Sequence, residues 1–292
     1  MIRKILLCLI LIPLGACASV ERLAIPDSQL INPALANTGE QTDIDHTQWD
    51  NFLKTYTAKD DQGVVRVNYA NVSDTDHSTL KSYITTLSTL ETSNLSKDAQ
   101  LSYWTNLYNA TTVNVILENY PVNSIRDIKD GLLDLGPWDD KRLTLNGRPT
   151  SLHDIEHGII RPLWNDTPEI HYILNCAAAG CPNLAQQAYT AQNVKQLMQQ
   201  AAISFINDPL RGIIVQDDGR IIISKIYSWY QDDFGGSQST ITQHLKTYAN
   251  PKLKNSLAQK KSFDGLTYDW RINDKKNANT LKKPTLLEQK LN

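Results

Sequence analysis

Ile213-Ile214-Val215-Gln216-Asp217-Asp218-Gly219-Arg220-Ile221-Ile222-Ile223 reads as two apolar, β-branched runs folded back on each other at an Asp-Gly turn. Asp-Gly supplies the positive φ that a tight hairpin turn demands, and β-branched side chains suit a pleated surface. Helical signals follow at once, near 225–232 and 238–248. Strand-turn-strand followed by helices is not the β-α-β alternation of a doubly wound sheet. The chain repeats this arrangement upstream. Residues 142–150 form a second hairpin around Asn146-Gly147, and Ser151 with Asp154 makes a capping box that opens a helix through Arg161. Trp49, Phe52, Leu53 and Tyr56 fall at helical spacing, 63–69 alternates as a short strand, and Leu80, Tyr83, Leu87 and Leu90 form a helical stripe. A long helix over 97–118 carries Leu101, Trp104, Tyr108, Thr111 and Val115 on one face. Residues 170–175 read as a buried strand and 191–206 as a helix. The expected fold is α+β: one compact, helix-rich domain with small antiparallel hairpins.

The ends of the chain read differently. Arg3 and Lys4 precede an apolar run from Ile5 to Leu14, about ten residues, where a spanning helix takes ~20. Leu14-Gly15-Ala16-Cys17 then matches a lipobox: small residues enter the peptidase cleft and the thiol accepts the lipid. Ala16-Cys17-Ala18 also fits an ordinary secretory cleavage site. The first reading makes 1–16 a lipoprotein signal peptide and Cys17 the lipidation site. Residues 17–44 would be a lipidated tether, 45–274 the globular domain and 275–292 a flexible basic tail. Ala18 in place of an aspartate favours the periplasmic face of a Gram-negative outer membrane. Net charge is -2 over 292 residues, and no basic excess argues for nucleic acid.

Three clusters carry chemistry. In Asn175-Cys176-Ala177-Ala178-Ala179-Gly180-Cys181-Pro182 two cysteines bracket a small-residue turn. A Cys176–Cys181 disulfide, a nucleophilic thiolate, and metal ligation with a histidine all fit these residue types. A helix starting after Pro182 would lend its positive end to the thiolate, with His157 or His171 as base. His153-Asp154-Ile155-Glu156-His157 matches the H-x-x-E-H pattern of zinc peptidases, though a solvated helix face gives the same letters. Asn106 and Asn109 sit three apart on an otherwise aromatic and apolar helix. Buried amides there either tie a neighbouring backbone in place or orient a catalytic histidine.

Trp104-Thr105-Asn106-Leu107-Tyr108-Asn109, Ile155-Glu156-His157, and His171 through the turn from Cys176 to Pro182 resemble the domain of unknown function 547 family. The stretches 224–234 and 268–273 resemble its downstream motifs, and Trp49, Phe52-Leu53 and 63–69 its upstream ones, so the likeness covers roughly 45–274. It implies a compact domain in which the asparagine helix, the Glu-His helix and the cysteine turn travel together. Histidine is not usual in the family at the position of His153, which weakens the zinc pattern. Plant intracellular members keep both turn cysteines, which favours thiol or ligand chemistry over a purely structural bridge.

The functional expectation is therefore a thiol-dependent hydrolase or acyl transferase acting on envelope amides or peptides. Cys176 would be the nucleophile and His157 the base, with Glu156 or Asn106 orienting it and Asn109 and His171 in binding roles. The alternative is a non-catalytic module that binds a partner, stabilised by a Cys176–Cys181 disulfide and presenting Trp138 and Trp164. A metalloprotein using His157, His171 and the cysteines is a third reading. No metal or cofactor is assigned. The expected partners are the membrane, through Cys17, and a peptide, small molecule or protein.

Overall fold

A computed structural model describes residues 31–129, 136–258, 260 and 262–283. The signal segment 1–16, Cys17 and 284–292 lie outside these residues.

Helix α1 (Thr47–Tyr56) leads into the hairpin β1 (Thr57–Lys59) and β2 (Val65–Val67). Helix α2 (Asp74–Ser88), capped by Ser73, packs on α3 (Lys97–Asn119), capped by Ser96. Helix α3 is buried almost all round, from Ala99 to Val113. A helix with no polar face belongs in the middle of a protein, and here the major core cluster surrounds it. Hairpin β3 (Leu143–Leu145) and β4 (Arg148–Thr150) delivers the chain to α4 (Leu152–Ile155), opened by the expected Ser151–Asp154 capping box.

The helix through Arg161 is not regular. A π-turn spans Glu156–Ile160 before a short α5 (Arg161–Leu163). Pro162 explains the change. It has no N–H for the carbonyl of Gly158, and its ring would collide with that carbonyl in a regular helix. The turn widens, the Arg161 amide reaches back to the Glu156 carbonyl, and the Gly158 carbonyl accepts instead from the Ile31 amide at 2.9 Å. A Cβ on Gly158 would collide with the Ile31 side chain, so only glycine permits the approach.

Helix α6 (Val194–Ile206) follows a long irregular stretch. Strands β5 (Ile213–Val215) and β6 (Ile221–Ser224) form the hairpin set by Asp218-Gly219. Helices α7 (Ile226–Trp229), α8 (Gln238–Tyr248) and α9 (Pro251–Ala258) then return the chain to β7 (Gly265–Thr267). β7 pairs with β6 in parallel, so this sheet is mixed and not purely antiparallel. The helical crossover supplies the length a parallel connection needs. A second core cluster fills the space between this sheet and α6–α9. The fold is α+β and compact. Among the described residues no helix is long and apolar enough to cross a membrane.

Three expectations change. Residues 170–175 are not a strand: a 3-10 turn spans Pro168–Tyr172. The backbone beyond it is satisfied by a side chain, since Asn109 donates to the Ile173 carbonyl and accepts from the Asn175 amide, each at 2.9 Å. An amide thereby replaces a strand edge. The described part of the tether, 31–44, lies on the domain. Gly39 and Gln41 donate to the carbonyls of Leu95 and Asn94, and Gln100 reaches the carbonyl of Asn37. The described part of the tail, 275–283, packs on the first hairpin through Asn279 with Asp61 and Leu281 with Gln62.

Candidate functional site

A cavity of about 190 Å³ opens where the π-turn, the cysteine turn, α7 and the segment after β7 meet. Glu156, His157, His171, Cys176 and Cys181 all line it, so the structure brings together most of the site residues expected from sequence. Its walls are aromatic. Trp229, Tyr268 and Trp270 are mutual neighbours with centroids 4.7–5.5 Å apart, and Trp138 meets Trp270 at 5.9 Å.

The polar floor is held from behind. Glu156 is buried, and its two carboxylate oxygens accept from the hydroxyls of Tyr108 (2.7 Å) and Tyr230 (2.5 Å). Burial alone would raise its pKa, but nearby His157 and the two hydroxyls outweigh it and hold the carboxyl below its ordinary range. The Arg161 guanidinium lies 2.9 Å from His157 Nδ1. Arginine only donates, so Nδ1 accepts and the ring proton sits on Nε2. Burial brings the His157 pKa down to about 4, against the pull of the Glu156 charge. His157 thus presents a neutral ring to the cavity with an Nε2–H donor.

Arg161 also forks onto Asp233 at 2.6 and 2.9 Å, and His171 Nε2 reaches the same carboxylate at 2.8 Å. Burial opposes ionisation of Asp233, but these hydrogen bonds to His171 and Arg161 dominate and keep its pKa well below the carboxylate range. Tyr230 stacks on His171 with centroids 3.9 Å apart. The buried bases are therefore positioned by groups that themselves have little freedom.

The cysteine turn is built by Asn175. Its Oδ1 accepts from the Ala177 amide at 2.9 Å and its Nδ2 donates to the Pro182 carbonyl at 2.8 Å. Ala177, not Gly180, takes the positive φ of 61°. Gly180 is needed for another reason: a Cβ there would meet the Asp269 backbone at 2.6 Å. Cys176 and Cys181 are joined by a disulfide, and the Tyr268 hydroxyl lies 3.1 and 3.0 Å from the two sulfurs. No helix starts after Pro182; the next one begins at Val194. The helix end expected to support a thiolate is absent from this turn.

Asn106 is not at the cavity. Its amide donates to the Tyr189 carbonyl at 2.7 Å and accepts from the Tyr189 amide at 3.1 Å, which uses it to fasten that loop. Asn109 fastens the backbone of Ile173 and Asn175 in the same way. His153 meets Asp139 at 3.1 Å and stacks near His157 with centroids 4.5 Å apart. Among the described residues no group of three or more His, Cys, Asp or Glu side chains is arranged to hold a metal ion. Trp164 is buried beneath Lys97 and does not present a contact face.

Sequence reasoning passed over Tyr108, Arg161, Tyr230, Asp233 and Tyr268 as site residues. Arg161 had a signal, lying four positions after His157 on a helix. Asp233 had only its place in the family-like stretch 224–234, and no spacing joins it to His171, 62 residues away. No curated protein and no solved structure matches the chain. Residues 92–206, which carry α3, the Glu-His π-turn, the cysteine turn and α6, match the family described as "Protein of unknown function, DUF547".

Proposed function

We propose that this domain is a non-catalytic binding module of the cell envelope, held at a membrane by lipid on Cys17, with the cavity as its ligand site. The observation that carries the reading is the disulfide on the cavity wall. A bridged sulfur is not a nucleophile, and the same bridge stiffens the wall against which a ligand would rest. The polar groups support it as well. Arg161, Asp233, Tyr108 and Tyr230 have their hydrogen bonds directed at Glu156, His157 and His171, which fixes donors and acceptors before any ligand arrives. The lipobox at 14–17 supports the location.

A thiol-dependent hydrolase or acyl transferase is the second reading. It is favoured by one observation, the presence of Cys176, His157 and Glu156 around a single cavity. It requires the bridge to be reduced and His157 to accept a proton at Nε2, the nitrogen that already carries one.

A fragment screen followed by the indole N–H resonances of Trp138, Trp229 and Trp270 separates the two. The binding reading expects saturable shifts at these three indoles and no consumption of ester or amide fragments. Turnover of such fragments that disappears in Cys176→Ala would overturn it.

A further inference from the structure

The cavity combines two features that select one charge type. Its walls offer the faces and edges of Trp138, Trp229, Tyr268 and Trp270. Aromatic faces attract cations, most strongly where water is excluded. Arg126 also lines the cavity and already covers one face of the Trp270 ring, 5.0 Å from its centroid, so a ligand cation has to sit on the Trp229 and Tyr268 side of the wall, away from this guanidinium.

The floor adds a carboxylate. Glu156 is 7% exposed, and its partners are two neutral hydroxyls. Among the described residues no basic side chain makes an ion pair with it. The nearby Arg161 is matched by Asp233, and His157 accepts from Arg161 as a neutral ring. Asp139 adds a second carboxylate at the mouth, 86% exposed. Hydroxyl hydrogen bonds and the field of nearby basic groups, Arg161 among them, already favour the Glu156 charge, and a cation in the cavity would add the direct ion pair that none of these groups makes. The His157 Nε2–H beside it suits an oxygen on the same ligand.

Size narrows the choice. An apolar cavity of about 150 Å³ holds benzene. A cavity of about 190 Å³ thus takes roughly eight non-hydrogen atoms by the same proportion. We propose that the occupant is a small alkylammonium ion bearing one oxygen, its cationic head boxed by Trp229, Tyr268 and Trp270 and countered by Glu156. This rests on the binding reading above and names its ligand class.

The test uses choline and its neutral isostere 3,3-dimethylbutan-1-ol, with tryptophan fluorescence of the full-length protein as readout. The expected result is saturable quenching by choline at a Kd at least tenfold below that of the alcohol. Glu156→Gln should cut that preference to less than threefold. The wild-type comparison needs no variant, so it decides the matter even if Glu156→Gln does not fold. Equal affinities, or tighter binding of the alcohol, would overturn the cation proposal and leave the cavity a ligand site. Quenching by neither would also overturn it. If the fragment screen then moves none of the three indoles, the binding reading falls too.

Discussion

Helix α3 touches two buried polar centres that are used in opposite ways. Asn106 and Asn109 each make a donor and an acceptor bond to one loop's backbone and face nothing else. Glu156 and His157, reached through Tyr108 on the same helix, are also held by hydrogen bonds, yet both still line a cavity. A buried polar group whose capacity is used up by backbone replaces secondary structure. One that is oriented from behind and keeps a face on a cavity is prepared for a ligand. The difference is decided by partners, not by residue type, and each centre should respond to mutation in its own way.

The largest effect is expected at Arg161. Arg161→Leu leaves the buried side of Asp233 without its fork and removes the donor that fixes His157. A loss of about 3–5 kcal/mol in urea unfolding is expected. Adding Asp233→Asn should restore part of it. No recovery in the double variant would mean that the pair is not the unit described here.

Asn106→Ala breaks the other centre. It strands the amide and carbonyl of Tyr189, and each orphaned buried group costs about 1–3 kcal/mol. A stability loss of about 2–4 kcal/mol is expected, with ligand affinity at the cavity unchanged. A fall in affinity larger than the fall in stability would merge the two centres and break the comparison.

The pH response is next. Burial depresses the pKa of both His46 and His157 to about 4. The unfolded chain therefore takes up protons first as pH falls, beginning near 6.5, and the fold is progressively disfavoured down to about 4. Between pH 7 and 5 each histidine should cost about 2 kcal/mol. Asp233 works in the same direction at lower pH, because its folded-state pKa is also depressed. His157→Gln should remove its own share of about 2 kcal/mol from the loss between pH 7 and 5, leaving the shares of His46 and of His244, whose pKa burial also lowers, read from the unfolding midpoint at each pH.

Tyr108→Phe is the smallest change. It removes one of two hydroxyls from Glu156 and should cost about 1.5–3 kcal/mol of the contact by the usual range for bonds to charged groups, toward the low end because Tyr230 remains. Differential scanning calorimetry of the variant checks this. A loss above that of Arg161→Leu would reverse the ranking and make Glu156 the structural keystone.

Local chemistry made much of this legible from the chain alone. Asp218-Gly219 and Asn146-Gly147 placed two hairpins, and Ser151 with Asp154 placed a helix start, because each signal acts within a few residues. The π-turn was written in Pro162, but its consequence depends on Ile31, more than a hundred positions away, arriving to use the Gly158 carbonyl. Residues 170–175 misled because an apolar run does not say whether its backbone will be met by a strand or by an asparagine. Cys176, His157 and Glu156 were foreseen as neighbours, while Asn106 was assigned to a cavity it does not reach. The aromatic walls and Asp233 come from segments far apart in sequence, and no spacing rule joins them. The turn-rich stretch 31–44 looked like a tether because the loop it bonds to, around Leu95, gives no sign of it in sequence.

The central claim is that the cavity wall carries a bridge and not a thiol. Purified native protein, unfolded in denaturant with iodoacetamide and without reductant, tests it by intact mass and peptide mapping. The expected result is no label on Cys176 or Cys181, and one label on each after reduction. Stoichiometric labelling of Cys176 before reduction would contradict the account and return the cavity to thiol chemistry.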